Sequence, residues 1–182
     1  LLHGIITDSS DVVFRKFLYG AGRKRKAAIL YIDGLVDKAL VNENILKPLM
    51  YDLCAVPEED AENRGIDYVE STLLLAGDVI KTASVSDAVD GFLSGDTVLL
   101  VDGSAEALVV SLRGWKTRGI EEPQTESVVR GPREGFTETL RFNTAMLRRK
   151  IKNPDLKMEP MCIGARTKTD VCIAYIGRLA AP

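Results

Sequence analysis

The stretch that most constrains the fold of this chain is Thr97-Val98-Leu99-Leu100-Val101, then Asp102-Gly103, then Ala107-Leu108-Val109-Val110-Ser111-Leu112. Two apolar runs on either side of Asp-Gly define a β-hairpin, because glycine accepts the positive φ of a tight turn at no steric cost. A second pair of strands precedes it. Asp11 to Tyr19 carries Val12, Val13, Phe14, Phe17 and Leu18, Gly20-Ala21-Gly22 turns the chain, and Ala27 to Ile32 forms a more buried partner.

Helices are expected between these strands. From Leu35 to Met50, Val36, Ala39, Leu40, Leu46 and Met50 recur near helical spacing, with Pro48 shortening or bending the end. Val56 to Gly65 is acidic and reads as a solvated connection or as the polar first turn of the next helix. Ile66 to Ala76 reads as that helix and Gly77 to Thr82 as a short strand; Ser86 is expected to cap a further helix that ends at Ser94-Gly95-Asp96. Arg113 to Glu126 lacks periodicity and carries Gly114, Gly119 and Pro123, the pattern of a linker, with Trp115 packing it against a lobe. Beyond Val128-Val129, a helix starting at Pro132 or Thr137 runs to about Lys152, with Phe136, Leu140, Leu147 and Ile151 as its apolar stripe and Asn153-Pro154 as its stop. Strands over Leu156 to Ile163 and Asp170 to Ile176 follow. The predicted fold class is α/β: two small lobes, each a mixed β-sheet packed with helices. The first lobe takes residues 1–113, the linker 114–126, and the second lobe 127–182, truncated at its C-terminal end.

Composition narrows the function. The 182 residues are 46% hydrophobic, enough to bury a core, and 24 Lys and Arg against 26 Asp and Glu leave a net charge of −2. No global field therefore draws the chain to nucleic acid or an anionic membrane. Three cysteines, Cys54, Cys162 and Cys172, without CxxC spacing argue against a disulfide framework and a zinc ribbon, and for a reducing compartment. Cys162 and Cys172 lie on successive strands and could be neighbours, but buried small hydrophobes are the favoured reading. The longest apolar runs, such as Val171 to Ile176, fall far short of the ~20 residues that span a bilayer. The start without Met and the stop after a strand suggest an excised piece, with any membrane anchor outside it.

Enzyme motifs are missing. His3, the sole histidine, removes most hydrolase triads and histidine metal sites. Gly164-Ala165-Arg166-Thr167-Lys168-Thr169 lacks the second glycine of a phosphate-binding loop and joins two strands, Gly20-Ala21-Gly22 lacks the third glycine of a dinucleotide fingerprint, and Ser104 lacks the glycine of a nucleophile elbow. No catalytic residue, metal ligand or cofactor is assigned.

The densest run of unusual residues is Val128 to Thr144, which contains Gly131-Pro132-Arg133-Glu134-Gly135 and Leu140-Arg141-Phe142-Asn143. Gly131 suits an N-cap, Pro132 the first helical position and Glu134 the positive end of the helix dipole. Gly135, costing about 1 kcal/mol inside a helix, points to a bend or a close backbone approach. Arg148, Arg149, Lys150 and Lys152 are the cations a helix C-terminus favours. Asn143 lies between the apolar stripe and the polar face, where its amide must bond a neighbouring backbone or face a cleft.

This run, its continuation through Leu147 to Lys157 and Thr167 to Val171, and Ser94 to Gly103 with Arg113-Gly114-Trp115 closely resemble the N-terminal region of the A subunit of GerA-type spore germinant receptors. The resemblance implies a domain on the spore-core side of the inner membrane, preceding a membrane-embedded region and working with B and C subunits in a receptor triggered by amino acids or sugars. Arg130, Arg133, Glu134, Asn143 and Arg148 are the candidate ligand or subunit contacts. Two functions follow: a cleft between lobes that binds a small-molecule germinant and transmits the signal, or a docking scaffold for receptor assembly without a ligand site of its own.

Overall fold

Short turns between apolar β-forming runs bring the first five strands into a single sheet. The computed structural model describes residues 9–20, 25–51, 65–72, 76–114, 135–177 and 179. Strands β1 (Val12–Tyr19), β2 (Arg25–Ile32), β3 (Val79–Thr82), β4 (Thr97–Val101) and β5 (Ala107–Val110) form a five-stranded sheet in the order β1-β2-β4-β5-β3. Every pairing in it is antiparallel. The two predicted strand pairs are both present. The β4–β5 loop is longer than a two-residue turn, because Leu100 opposite Ala107 is the last paired position, and Gly103 takes φ +84° within it.

Successive strand residues point to opposite faces, and here each face carries its own core. On one side Phe17, Ile29, Leu99, Leu108 and Val110 meet Val41, Ile45, Leu49, Ile66 and Val69 of the helices. On the other, Leu30, Ile32, Val98, Ala107 and Val109 meet Ala88, Phe92, Leu93 and Ala145. The result is a central sheet with helices on both faces, the α/β class expected.

The first helical stretch comprises α1 (Lys38–Val41), a π-helical segment (Asn42–Leu46) and α2 (Lys47–Met50). It begins three residues later than the periodicity predicts. Asp37 caps it, its carboxylate accepting from the backbone N–H of Ala39 at 2.8 Å and of Leu40 at 3.3 Å. Leu35 and Val36 are instead held by the strand exit, Val36 bridging Arg113. Pro48 neither ends nor breaks the run. A proline cannot donate to the carbonyl four residues back and its ring crowds it; the wider π turn immediately upstream accommodates this defect.

Helix α3 (Ile66–Thr72) follows, and α4 (Val85–Leu93) is capped by Ser84, not Ser86: the Ser84 hydroxyl accepts from Asp87 N–H at 3.2 Å. Gly91 lets α4 lie close on the sheet, since a Cβ there would stand 2.6 Å from a Val109 methyl.

After the residues outside the description, α5 (Leu140–Lys150) leads into a two-stranded antiparallel ribbon of β6 (Leu156–Ile163) and β7 (Thr169–Ile176). Leu156 and Met158 are buried, while Met161, Ile163 and Ile173 are exposed. Cys162 stands opposite Asp170, and Cys172 opposite Pro160, so the two thiols are diagonal and not paired across the ladder. Trp115, the acidic stretch 56–64 and most of the predicted linker lie outside the described residues.

Candidate functional site

Helix α5 is where this protein departs most from its sequence pattern. The predicted apolar stripe is not its buried face: Phe136 precedes the helix and is 68% exposed, and Ile151, just after it, is 38% exposed. The buried residues are Thr144, Ala145 and Arg148. These positions share one face, since residues three and four apart on a helix are neighbours.

Arg148 is 2% exposed and reaches Asp11, 1% exposed, at the start of β1. Its Nε donates to Asp11 Oδ2 at 2.7 Å and its Nη2 to Asp11 Oδ1 at 2.8 Å, a two-pronged guanidinium–carboxylate pair. Ser9 completes the group, its hydroxyl accepting from Arg148 Nη2 at 2.8 Å and from Met158 N–H at 2.9 Å while donating to Asp11 Oδ1 at 2.6 Å. Ser10 adds a hydroxyl bond to the Met158 carbonyl at 2.7 Å. One buried network thus ties the sheet, α5 and the ribbon. Arg148 stands in the basic last turn of α5 as expected, and its burial makes it a structural tie as well.

Nearer the start of α5, Arg141 pairs with Asp33 Oδ2 at 3.1 Å, and Lys38 holds Asp33 Oδ1 at 2.8 Å. Gly34, at φ +94°, lets the β2 exit pass beneath: a Cβ there would stand 3.1 Å from Ala145 Cβ and 3.3 Å from Arg141 Cδ. Asn143 meets the expectation that its amide bonds nearby backbone. Its Oδ1 accepts from Thr137 N–H and its Nδ2 donates to the Thr137 carbonyl, both at 2.7 Å, which shapes the approach to the helix. Among the described residues Gly135 makes no close approach, a Cβ there meeting nothing within 4 Å, and it lies ahead of the helix instead of inside it. Arg130, Arg133 and Glu134 lie outside the described residues.

Between α5, the start of β1 and the ribbon lies a cleft of about 480 Å³, lined by Asp11, Leu140, Arg141, Thr144, Met161 and Asp170 among others. Cys162 and Cys172 also line it. Burial, and secondarily the Asp11 charge, push the Cys172 thiol up from its ordinary value, whereas Cys162 is exposed. The thiolate is the reactive form, so less of Cys172 is reactive at neutral pH. Iodoacetamide at pH 7.5 is expected to alkylate Cys162 several-fold faster than Cys172, as peptide mass spectrometry would read; equal rates would show that the ribbon opens freely.

Among the described residues no group of His, Cys, Asp and Glu could hold a metal ion, and no helix is long and apolar enough to cross a membrane. Sequence reasoning missed Ser9, Asp11, Asp33 and Arg141. A carboxylate just ahead of an apolar strand carries no local signal of its partner 137 positions away. Arg141 and Arg148 had one: with Thr144 and Ala145 they recur at helical spacing, a stripe visible only if arginine is allowed on a buried face.

A central sheet sandwiched by helices, with a polar-tied helix and ribbon flanking a cleft, defines a small α/β class of domain. The profile of the family described as Bacillus/Clostridium GerA spore germination protein matches residues 1–182, and the chain belongs to that family. It is 40% identical over 173 residues to the uncharacterized membrane protein YfkQ of Bacillus subtilis, covering 95% of this chain and 32% of that protein. It is 36% identical over 171 residues to spore germination protein KA of Bacillus subtilis, covering 94% and 30%. The chain therefore spans about a third of the length of these relatives. The crystal structure of the N-terminal domain of the A subunit of the Bacillus megaterium spore germinant receptor GerK3 superposes with a TM-score of 0.75 at 32% identity, over 99% of this chain and 63% of that one.

Proposed function

We propose that this chain is part of the N-terminal domain of a spore germinant receptor A subunit, and that its cleft binds a small nutrient and passes the signal onward. The observation that carries this reading is the concave site of about 480 Å³ where the sheet, α5 and the ribbon converge with both charged and apolar side chains. Sites of this size at the junction of structural units are the usual places for small ligands. In the whole receptor the domain would lie on the spore-core side of the inner membrane and work with B and C subunits. No catalytic role is proposed.

The buried Asp11–Arg148 tie argues for transmission through small shifts of the ribbon rather than through wide hinge closure of two free lobes. Thermal unfolding of the 182-residue chain across amino acids, sugars and inorganic ions tests the reading. A ligand at 100 times its dissociation constant is expected to stabilise the domain by ~2.7 kcal/mol; no shift from any compound at millimolar concentration would reject the cleft as a nutrient site.

A docking scaffold is the second reading. It is favoured by the ribbon face opposite Cys162 and Cys172, where Ile163 and Ile173 are exposed together. An uncovered apolar patch of this kind is a usual mark of a protein contact.

A further inference from the structure

We infer that Arg141 is the anion-recognising residue of the cleft, and that the cleft takes a small molecule by its carboxylate, Arg141 exchanging Asp33 for the ligand. This rests on the nutrient-site reading above and goes beyond it by naming the residue and the chemical group.

Two arginines seven positions apart on α5 are held in opposite ways. Arg148 is buried, doubly bonded to Asp11 and committed to the fold. Arg141 lines the cleft with its side chain 49% exposed, and among the described residues its ion pair is a single approach to Asp33 Oδ2 at 3.1 Å. With the Arg141 end of the pair half-exposed and a single nitrogen engaged, the contact adds only modestly to stability, and the guanidinium can exchange partners. A carboxylate offers it the two-pronged geometry that Asp33 does not.

Release of Arg141 leaves no orphaned charge behind. Asp33 keeps Lys38 at 2.8 Å on its other oxygen. The helix end also favours an anion: Arg141 is in the first turn of α5, which holds no acidic residue, and the Thr139 cap makes no side-chain bond. Of the two carboxylates lining the cleft, Asp11 is held by Arg148, leaving Asp170 on the ribbon. Leu140, Met158, Pro160 and Met161 supply apolar wall for a short tail. The shared chemistry is a carboxylate with a small apolar group, from a simple acid or from a zwitterion whose ammonium faces Asp170.

Isothermal titration of the 182-residue chain with sodium propionate, alanine and glucose at constant ionic strength separates the cases. Saturable binding of propionate, alanine or both is expected, weakened about tenfold or more by Arg141→Gln. Asp33→Asn is expected to tighten binding several-fold by removing the competing carboxylate, a change that a merely structural role for Arg141 would not produce. Alanine binding more tightly than propionate, with the difference erased by Asp170→Asn, identifies a zwitterion site; equal binding identifies a simple carboxylate site, and both support the assignment. Glucose binding without either carboxylate would overturn the Arg141 inference and leave the nutrient-site reading standing. Carboxylate binding that ignores both Arg141→Gln and Asp33→Asn would overturn it as well, and silence from all three probes would overturn the Arg141 inference, the wider unfolding panel then deciding the nutrient-site reading.

Discussion

Replacing Arg148 with alanine is expected to destabilise the domain by about 3–5 kcal/mol, because Asp11 would stay buried at 1% exposure with its charge unpaired. Two strong bonds to the carboxylate and one to Ser9 would be lost together. The double replacement Asp11→Leu/Arg148→Met is expected to recover most of that loss, since a buried ion pair is often no more stabilising than apolar groups of similar size. Urea denaturation of the two single variants and the double variant gives the coupling directly. Additive losses would mean that the pair is not coupled in the folded protein. The network's role on this account is to fix the register of α5 and the ribbon against β1, more than to add net stability.

Gly114→Ala is expected to cost about 3 kcal/mol or more, through steric conflict instead of lost charge pairing. The added Cβ would stand 2.3 Å from Asp37 Cβ and 2.6 Å from its Cα and N. The backbone atoms among these cannot yield by a side-chain rotation. They are pinned by Asp37 N–H donating to Leu112 at 2.9 Å and Gly114 N–H donating to Leu35 at 3.1 Å. Asp37 is also the cap of α1, so displacing it should loosen that helix and its contact with the sheet. The expected signature is a lower urea midpoint together with faster amide exchange over residues 38–46. By contrast, Gly135→Ala should be nearly neutral, because among the described residues nothing lies within 4 Å of its Cβ position; comparable losses at both glycines would refute the steric account.

The parts of the fold legible in sequence are those governed by local rules. Apolar runs bounded by Gly and Asp gave the strands, and β1–β2 and β4–β5 pair as their proximity predicts. The helices were found by periodicity, but their ends were set by competition between neighbours. Ser84 and Ser86 are both capping residues by type; the backbone of Ser84 is extended and its hydroxyl reaches the Asp87 N–H. Leu35 and Val36 carry the helical pattern, yet the strand exit at Arg113 claims them. Nothing local marks that claim.

Residue chemistry and motif order alone were enough to identify the family, the α/β class and the lack of recognisable enzyme motifs, because these depend on residues near one another in the chain. The buried face of α5, the cleft and the pairing of Asp11 with Arg148 were decided only by tertiary structure. A charged helix position reads as solvent-facing until a carboxylate from far away in the sequence meets it, and that encounter depends on how the whole sheet brings the start of β1 beside α5.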